Sequence, residues 1–117
     1  MPIATEITLH QRSRLLEIHF DDGSHFDLSC ELLRVYSPSA EVKGHGPGQG
    51  VLQIGKEHVN ITAIEPIGNY GVKLIFDDGH STGIYSWAYL YDLGKDQDRY
   101  WMDYLTALKQ AGYQRNP

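Results

Sequence analysis

Cysteine is almost absent from this chain: Cys30 is the only one among 117 residues. That excludes an intramolecular disulfide and any all-cysteine zinc or iron–sulfur centre held by one chain. Long apolar runs are missing as well, since nothing approaches the ~18 residues needed to span a bilayer. The opening residues MPIATEITLH lack the basic and apolar regions of a secretory signal, so a cytoplasmic protein without membrane association is expected. Basic clusters are equally scarce. The formal net charge is −5 and no Lys/Arg group exceeds an isolated pair, so no nucleic-acid partner is expected.

What remains is ordinary for a globular protein, with 41% apolar and 21% charged residues. The length suits one domain, residues 1–117, with a modest core. Strict alternation marks the strands. Ile3, Thr5, Ile7 and Leu9 share one face of the first; Leu16, Ile18 and Phe20 alternate with Glu17 and His19 in the second. Phe26, Leu28 and Cys30 alternate with His25, Asp27 and Ser29. Later, Val59, Ile61 and Ala63 alternate with Asn60 and Thr62, and Val72, Leu74 and Phe76 with Lys73 and Ile75. This pattern fits antiparallel sheets with one polar face.

Helical spacing appears near the C-terminus. Trp101, Tyr104, Leu105 and Leu108 form one stripe of a helix expected from about Asp96 to Ala111. Asp96 or Asp98 can cap its start, and Gly112 can take a left-handed conformation at its end. A shorter helix is expected over Trp87–Leu93, stopped by Gly94, and a helical turn over Glu31–Val35. Residues 37–50 are rich in Gly and Pro and read as one long loop. The fold class is therefore α+β, mostly antiparallel sheet with a C-terminal helix.

The tetrapeptide Phe-Asp-Asp-Gly occurs twice, at Phe20–Gly23 and Phe76–Gly79. Register decides how each copy turns, because a one-residue slip sends every side chain to the other face. A two-residue loop sets Ile18 opposite Asp27. A three-residue loop pairs Phe20 with Ser24, Ile18 with Phe26 and Leu16 with Leu28, joining apolar residues. The same loop in the second copy pairs Phe76 with His80, Leu74 with Thr82 and Val72 with Ile84. Gly23 and Gly79 then take left-handed bulge positions, and the aspartates are explained by the turn. His19 and His25 become partners on the polar face, where two imidazoles alone make a poor metal site. His80 instead shares the inward face of Phe76, as a hydrogen-bonded core histidine or a ligand.

Motifs for catalysis are weak. Cys30 falls on the inner face, where a packed thiol is inert. Neither Ser81 nor Ser86 sits on a nucleophile elbow. The glycine-rich run Gly44–Gly50 lacks the Lys-Ser/Thr of a phosphate-binding loop, which leaves a connector or a contact loop carrying His45 and Gln49. In Tyr85–Tyr91, Trp87 reads as packing, and the tyrosines fit either packing or a partner surface.

Three segments together, Leu33–Val42, Gly44–Gln49 and Phe76–Leu90, resemble the gamma-butyrobetaine hydroxylase-like N-terminal domain family, in its stand-alone bacterial form. The resemblance implies an accessory domain without the separate oxygenase domain that carries iron and 2-oxoglutarate chemistry. In those hydroxylases the N-terminal domain holds a structural zinc through three cysteines and a histidine. The cysteine run falls here on Ser37, Ser39 and Val42, and the histidine on His80. The resemblance also implies a link to P-loop ATPases of the iron–sulfur carrier type.

The expectation is a non-enzymatic binding or adaptor domain with no cofactor, using Ser37, Ser39, His45, Gln49, Tyr85 and Trp87 for a protein partner. An accessory role in iron–sulfur cluster assembly or iron metabolism follows from the resemblance. The alternative is a zinc or iron module centred on His80, with His45 and Glu41 or groups from a second chain as further ligands.

Overall fold

The computed structural model describes residues 2–43 and 50–116. Strands β1 (Ala4–His10), β2 (Leu15–Phe20) and β3 (His25–Ser29) lead into helices α1 (Cys30–Val35) and α2 (Ala40–Lys43). Strands β4 (Ile61–Ile67), β5 (Gly71–Phe76) and β6 (Ile84–Ser86) lead into α3 (Trp87–Lys95) and α4 (Gln97–Gln110). The strands form two three-stranded antiparallel sheets, ordered β1-β2-β3 and β4-β5-β6. This is the α+β architecture that the alternation implied.

Both sheets feed one core. Leu16, Ile18, Phe20 and Leu28 from the first meet Ile61, Val72, Leu74, Phe76 and Tyr85 from the second, joined by Leu90 and Leu93 of α3. Each fully buried Leu or Ile contributes about 1.5–3 kcal/mol relative to exposure. Helix α4 lays Tyr104 and Leu108 against Val35 in a smaller cluster, with Trp101 and Leu105 half-buried beside them. The stripe read from the sequence is therefore the packed one.

The first hairpin has the three-residue register: Ile18 pairs with Phe26, Leu16 with Leu28, and His19 with His25. Phe20 N–H donates to Ser24 O and Gly23 N–H to Phe20 O, with Gly23 at φ +86°. The second turn closes the same way, Phe76 N–H to His80 O and Gly79 N–H to Phe76 O, with Gly79 at φ +90°. Beyond the turn, the expected pairing of Val72 with Ile84 is corrected by one residue. Val72 pairs with Tyr85 and Lys73 with Ile84, so Tyr85 is fully buried and Ile84 is exposed. The extra residue is absorbed before Ile84, where Gly83 carries no side chain to hold the phase.

The two sheets repeat one plan. Each outer strand carries a bulge at a threonine: the register shifts between Ala4 and Glu6 in β1, and between Ile61 and Ala63 in β4. Thr5 Oγ1 donates to His19 O, as Thr62 Oγ1 does to Ile75 O. Asp21 Oδ1 accepts from Ile3 N–H, as Asp77 Oδ1 does from Asn60 N–H. These bulges correct two expected faces. Ile3 and Thr5 leave the inner side of β1 to Ala4, and Ala63 turns outward while Ile64 faces Leu74. A serine then caps the helix after each sheet, Ser29 Oγ accepting from Leu32 N–H and Ser86 Oγ from Tyr89 N–H.

Three helix expectations change. Gly94 lies inside α3 and does not stop it; a Cβ there would stand 2.3 Å from the Phe26 ring, so glycine permits close helix–sheet approach. Asp96 precedes α4 without a side-chain capping bond, while Asp98 lies in its first turn and Gly112 has φ +75°. The expected loop over 37–50 holds one helical turn, α2, started by Ser39: its Oγ accepts from Glu41 N–H and its carbonyl from Val42 and Lys43 N–H.

Candidate functional site

The residue that follows the second Asp-Asp-Gly turn organises the site. Phe76 and His80 face inward together, and His80 is buried at 6% exposure. Its ring meets the segment between α1 and α2. His80 Nε2 lies 2.9 Å from Ser37 Oγ, and Nδ1 lies 3.0 Å from Glu41 Oε2. A carboxylate only accepts, so Nδ1 carries the proton and Ser37 donates its hydroxyl hydrogen to the bare Nε2. Ser37 Oγ in turn accepts from Ser39 N–H at 3.3 Å. Alongside, Ser39 Oγ meets Thr82 Oγ1 at 2.7 Å.

Ser37 is fully buried, and only a glycine opposite makes that place available. A Cβ on Gly83 would sit 2.3 Å from Ser37 Oγ. The fold therefore trades a side chain on β6's approach for a serine hydroxyl from another segment. Asp78 anchors the turn underneath, its Oδ1 accepting from His80 N–H at 3.1 Å. Its Oδ2 accepts from Arg34 Nε at 2.8 Å and Lys56 Nζ at 2.7 Å. Burial opposes ionisation of Asp78, but Lys56, the His80 N–H and Arg34 outweigh it and hold its carboxyl at about 2. Arg34 is itself buried, and its Nη1 has no hydrogen-bond partner among the described residues.

Burial pushes the His80 imidazole below its ordinary value, helped by the Arg34 cation and opposed by Glu41 and Asp78. The arrangement favours a neutral imidazole clamped between a buried hydroxyl and an exposed carboxylate; the Glu41 side chain is 62% exposed. What it can do chemically is latch the α1–α2 segment to the second sheet and present Glu41 at the rim.

Structural zinc requires thiolate, imidazole or carboxylate donors. At the four positions singled out by the family resemblance, the chain offers two neutral hydroxyls already engaged in hydrogen bonds, a buried Val42 and one imidazole. These residues do not fit the zinc.

The sequence candidates separate accordingly. Ser37, Ser39 and His80 come together. Tyr85 is fully buried, its hydroxyl donating to Leu33 O at 2.6 Å and its ionisation pushed up by burial, so it is an internal anchor. Tyr89 likewise donates to Tyr36 O. Trp87 stands at the far end of β5, its N–H bonded to Tyr70 O and its Nε1–H to Asn69 O. His45 and Gln49 lie outside the described residues. Cys30 is fully buried, and burial pushes its thiol up. Sequence reasoning missed Thr82, Arg34 and Lys56; the only signal for the last two was the pair of aspartates, which the turn explained too completely.

Comparison with known proteins adds three structural relatives. The family model described as "Gamma-butyrobetaine hydroxylase-like, N-terminal" matches residues 7–91. One solution NMR structure, 57% identical, aligns over 100% of this chain and 87% of its own with a TM-score of 0.85. A second, 47% identical, aligns over 100% and 92%, again with a TM-score of 0.85. A crystal structure from Acidithiobacillus ferrooxidans, described as a protein of unknown function belonging to the DUF971 family, is 38% identical. It covers 78% of this chain and 91% of its own at a TM-score of 0.66. No curated protein matches the chain.

Proposed function

This chain belongs to the gamma-butyrobetaine hydroxylase-like N-terminal family, and from that premise we propose that it is a non-enzymatic adaptor domain. Its partner-binding surface is the rim of the His80 latch, where Glu41 and Lys43 are exposed beside the buried Ser37. One observation carries the reading. Where relatives are expected to organise this segment with a metal, Ser37 meets His80 and Ser39 meets Thr82 in hydrogen bonds. Both ring nitrogens of His80 are engaged and the Cys30 thiol is sealed in the core, which supports binding over catalysis. The partner class is a P-loop ATPase of the iron–sulfur carrier type, and the role is accessory to cluster assembly or iron metabolism.

The second reading is a zinc or iron module centred on His80, favoured by the Glu41 carboxylate already at 3.0 Å from Nδ1. One experiment separates the two. Untagged protein is analysed for bound metal, then titrated calorimetrically with a purified carrier ATPase. The adaptor reading expects no stoichiometric metal that depends on His80, and binding weakened at least about tenfold, or about 1.4 kcal/mol, by the charge reversals Glu41→Lys and Lys43→Glu. Stoichiometric zinc or iron lost in His80→Ala contradicts it, as does binding indifferent to both reversals.

A further inference from the structure

The polar face of the first sheet gathers a second group of donors, on strands other than those that carry the latch. Glu17 and His19 lie two apart on β2, so they share a face. His25 on β3 stands directly across from His19. The turn sets how close they come. Because Phe20 and Ser24 form the bonded closing pair, His19 and His25 fall on the next, unbonded pair, where side chains approach most closely. Their rings stack at 4.6 Å between centroids, tilted by 14°.

Glu17 Oε2 is 2.6 Å from His19 Nε2, and its other oxygen is 2.8 Å from His10 Nε2. One donor atom each from Glu17, His19 and His25 falls within 4.8 Å of the others. The face also carries a like-charge pairing. Glu17 is directly opposite Asp27, and like charges across a strand pair repel. Asp27 reaches His25 only at 3.6 Å. A divalent cation here would offset both carboxylates.

We propose that Glu17, His19 and His25 form a three-ligand site for a borderline divalent metal ion of the zinc class. Two imidazoles and one carboxylate are donors suited to that class, and they leave a coordination position open to water or a partner's side chain. A tetrahedral ion with bonds of about 2.0–2.1 Å spaces its ligands about 3.3 Å apart, so rotations of these exposed side chains suffice. His10 orients the carboxylate from behind by holding its second oxygen. The site shares no residue with the His80 latch.

Zinc chloride alone is the probe. Untagged protein is titrated by calorimetry and by NMR of the histidine rings. The expected result is saturable one-to-one uptake that shifts the His19 and His25 rings. Affinity should fall at least about tenfold in His19→Ala, His25→Ala and Glu17→Gln, and stay unchanged in His80→Ala; outer partners of metal ligands already act on that scale. These ligands are partly to largely solvent-exposed, so the variants fold, which the unchanged backbone spectrum verifies. Absence of saturable uptake, or uptake indifferent to His19 and His25, overturns the proposal. Uptake lost only in His80→Ala overturns it in favour of the latch as the metal site.

Discussion

The two sheets are built alike and finished differently. Each has a threonine bulge on its outer strand, an Asp-Asp-Gly turn, an aspartate bonded back to the first strand, and a serine-capped helix. In the first, the turn is followed by Ser24 and then Phe26, whose ring packs on Phe20, Tyr91 and the bare backbone of Gly94. In the second, the turn is followed by His80, and Gly83 leaves room for the Ser37 hydroxyl. Asp22 and Asp78 diverge in the same sense. Both accept from the N–H two residues on, but Asp22 then takes the Tyr91 hydroxyl, whereas Asp78 takes two cations. One backbone plan thus yields an apolar joint in one half and a polar latch in the other.

Removing one hydroxyl from each half tests that asymmetry most strongly. Ser37→Ala leaves His80 Nε2 buried without its donor, and chemical denaturation should register a loss of about 1–3 kcal/mol. Its counterpart, Ser24→Ala, loses only a 3.4 Å contact with Tyr91 and should stay within about 0.5 kcal/mol. Equal losses would mean that the two turns are energetically equivalent and the latch adds nothing.

Proton linkage gives a smaller effect. An imidazole whose folded pKa lies below its unfolded value of 6.5 binds fewer protons in the native state. Its contribution is therefore complete above about pH 6.5 and is lost as pH falls from there through the depressed folded value. Denaturation midpoints measured between pH 7.5 and 5 should decline in the wild type. The decline should be shallower in His80→Gln, which keeps a polar side chain but has no proton to gain. A slope unchanged by that substitution would place the titrating group elsewhere.

Much of the latch was legible before the structure. Alternation and turn length put His80 beside Phe76 on the inner face, and the family resemblance grouped Ser37 and Ser39 with it. The one-residue slip after the second turn was not legible. Pairing by apolar match needs a side chain at each position, and Gly83 offers none. The bulges hid for a related reason: Thr5 and Thr62 suit either face, so alternation runs through them without a break. Gly94 misled in the opposite direction. A helix-interior glycine is unfavourable by roughly 1 kcal/mol and reads as a stop, until the Phe26 ring across from it is known.

The central claim is that a neutral histidine, held by a serine and a glutamate, does in this chain what a metal is expected to do in relatives. Long-range proton–nitrogen NMR of the His80 ring at neutral pH reads this directly. The account predicts one protonated nitrogen, Nδ1, and one bare nitrogen, Nε2, with the Nε2 resonance moving when Ser37 is replaced by alanine. Two protonated nitrogens, or a ring spectrum that changes when a chelator is added, would contradict it.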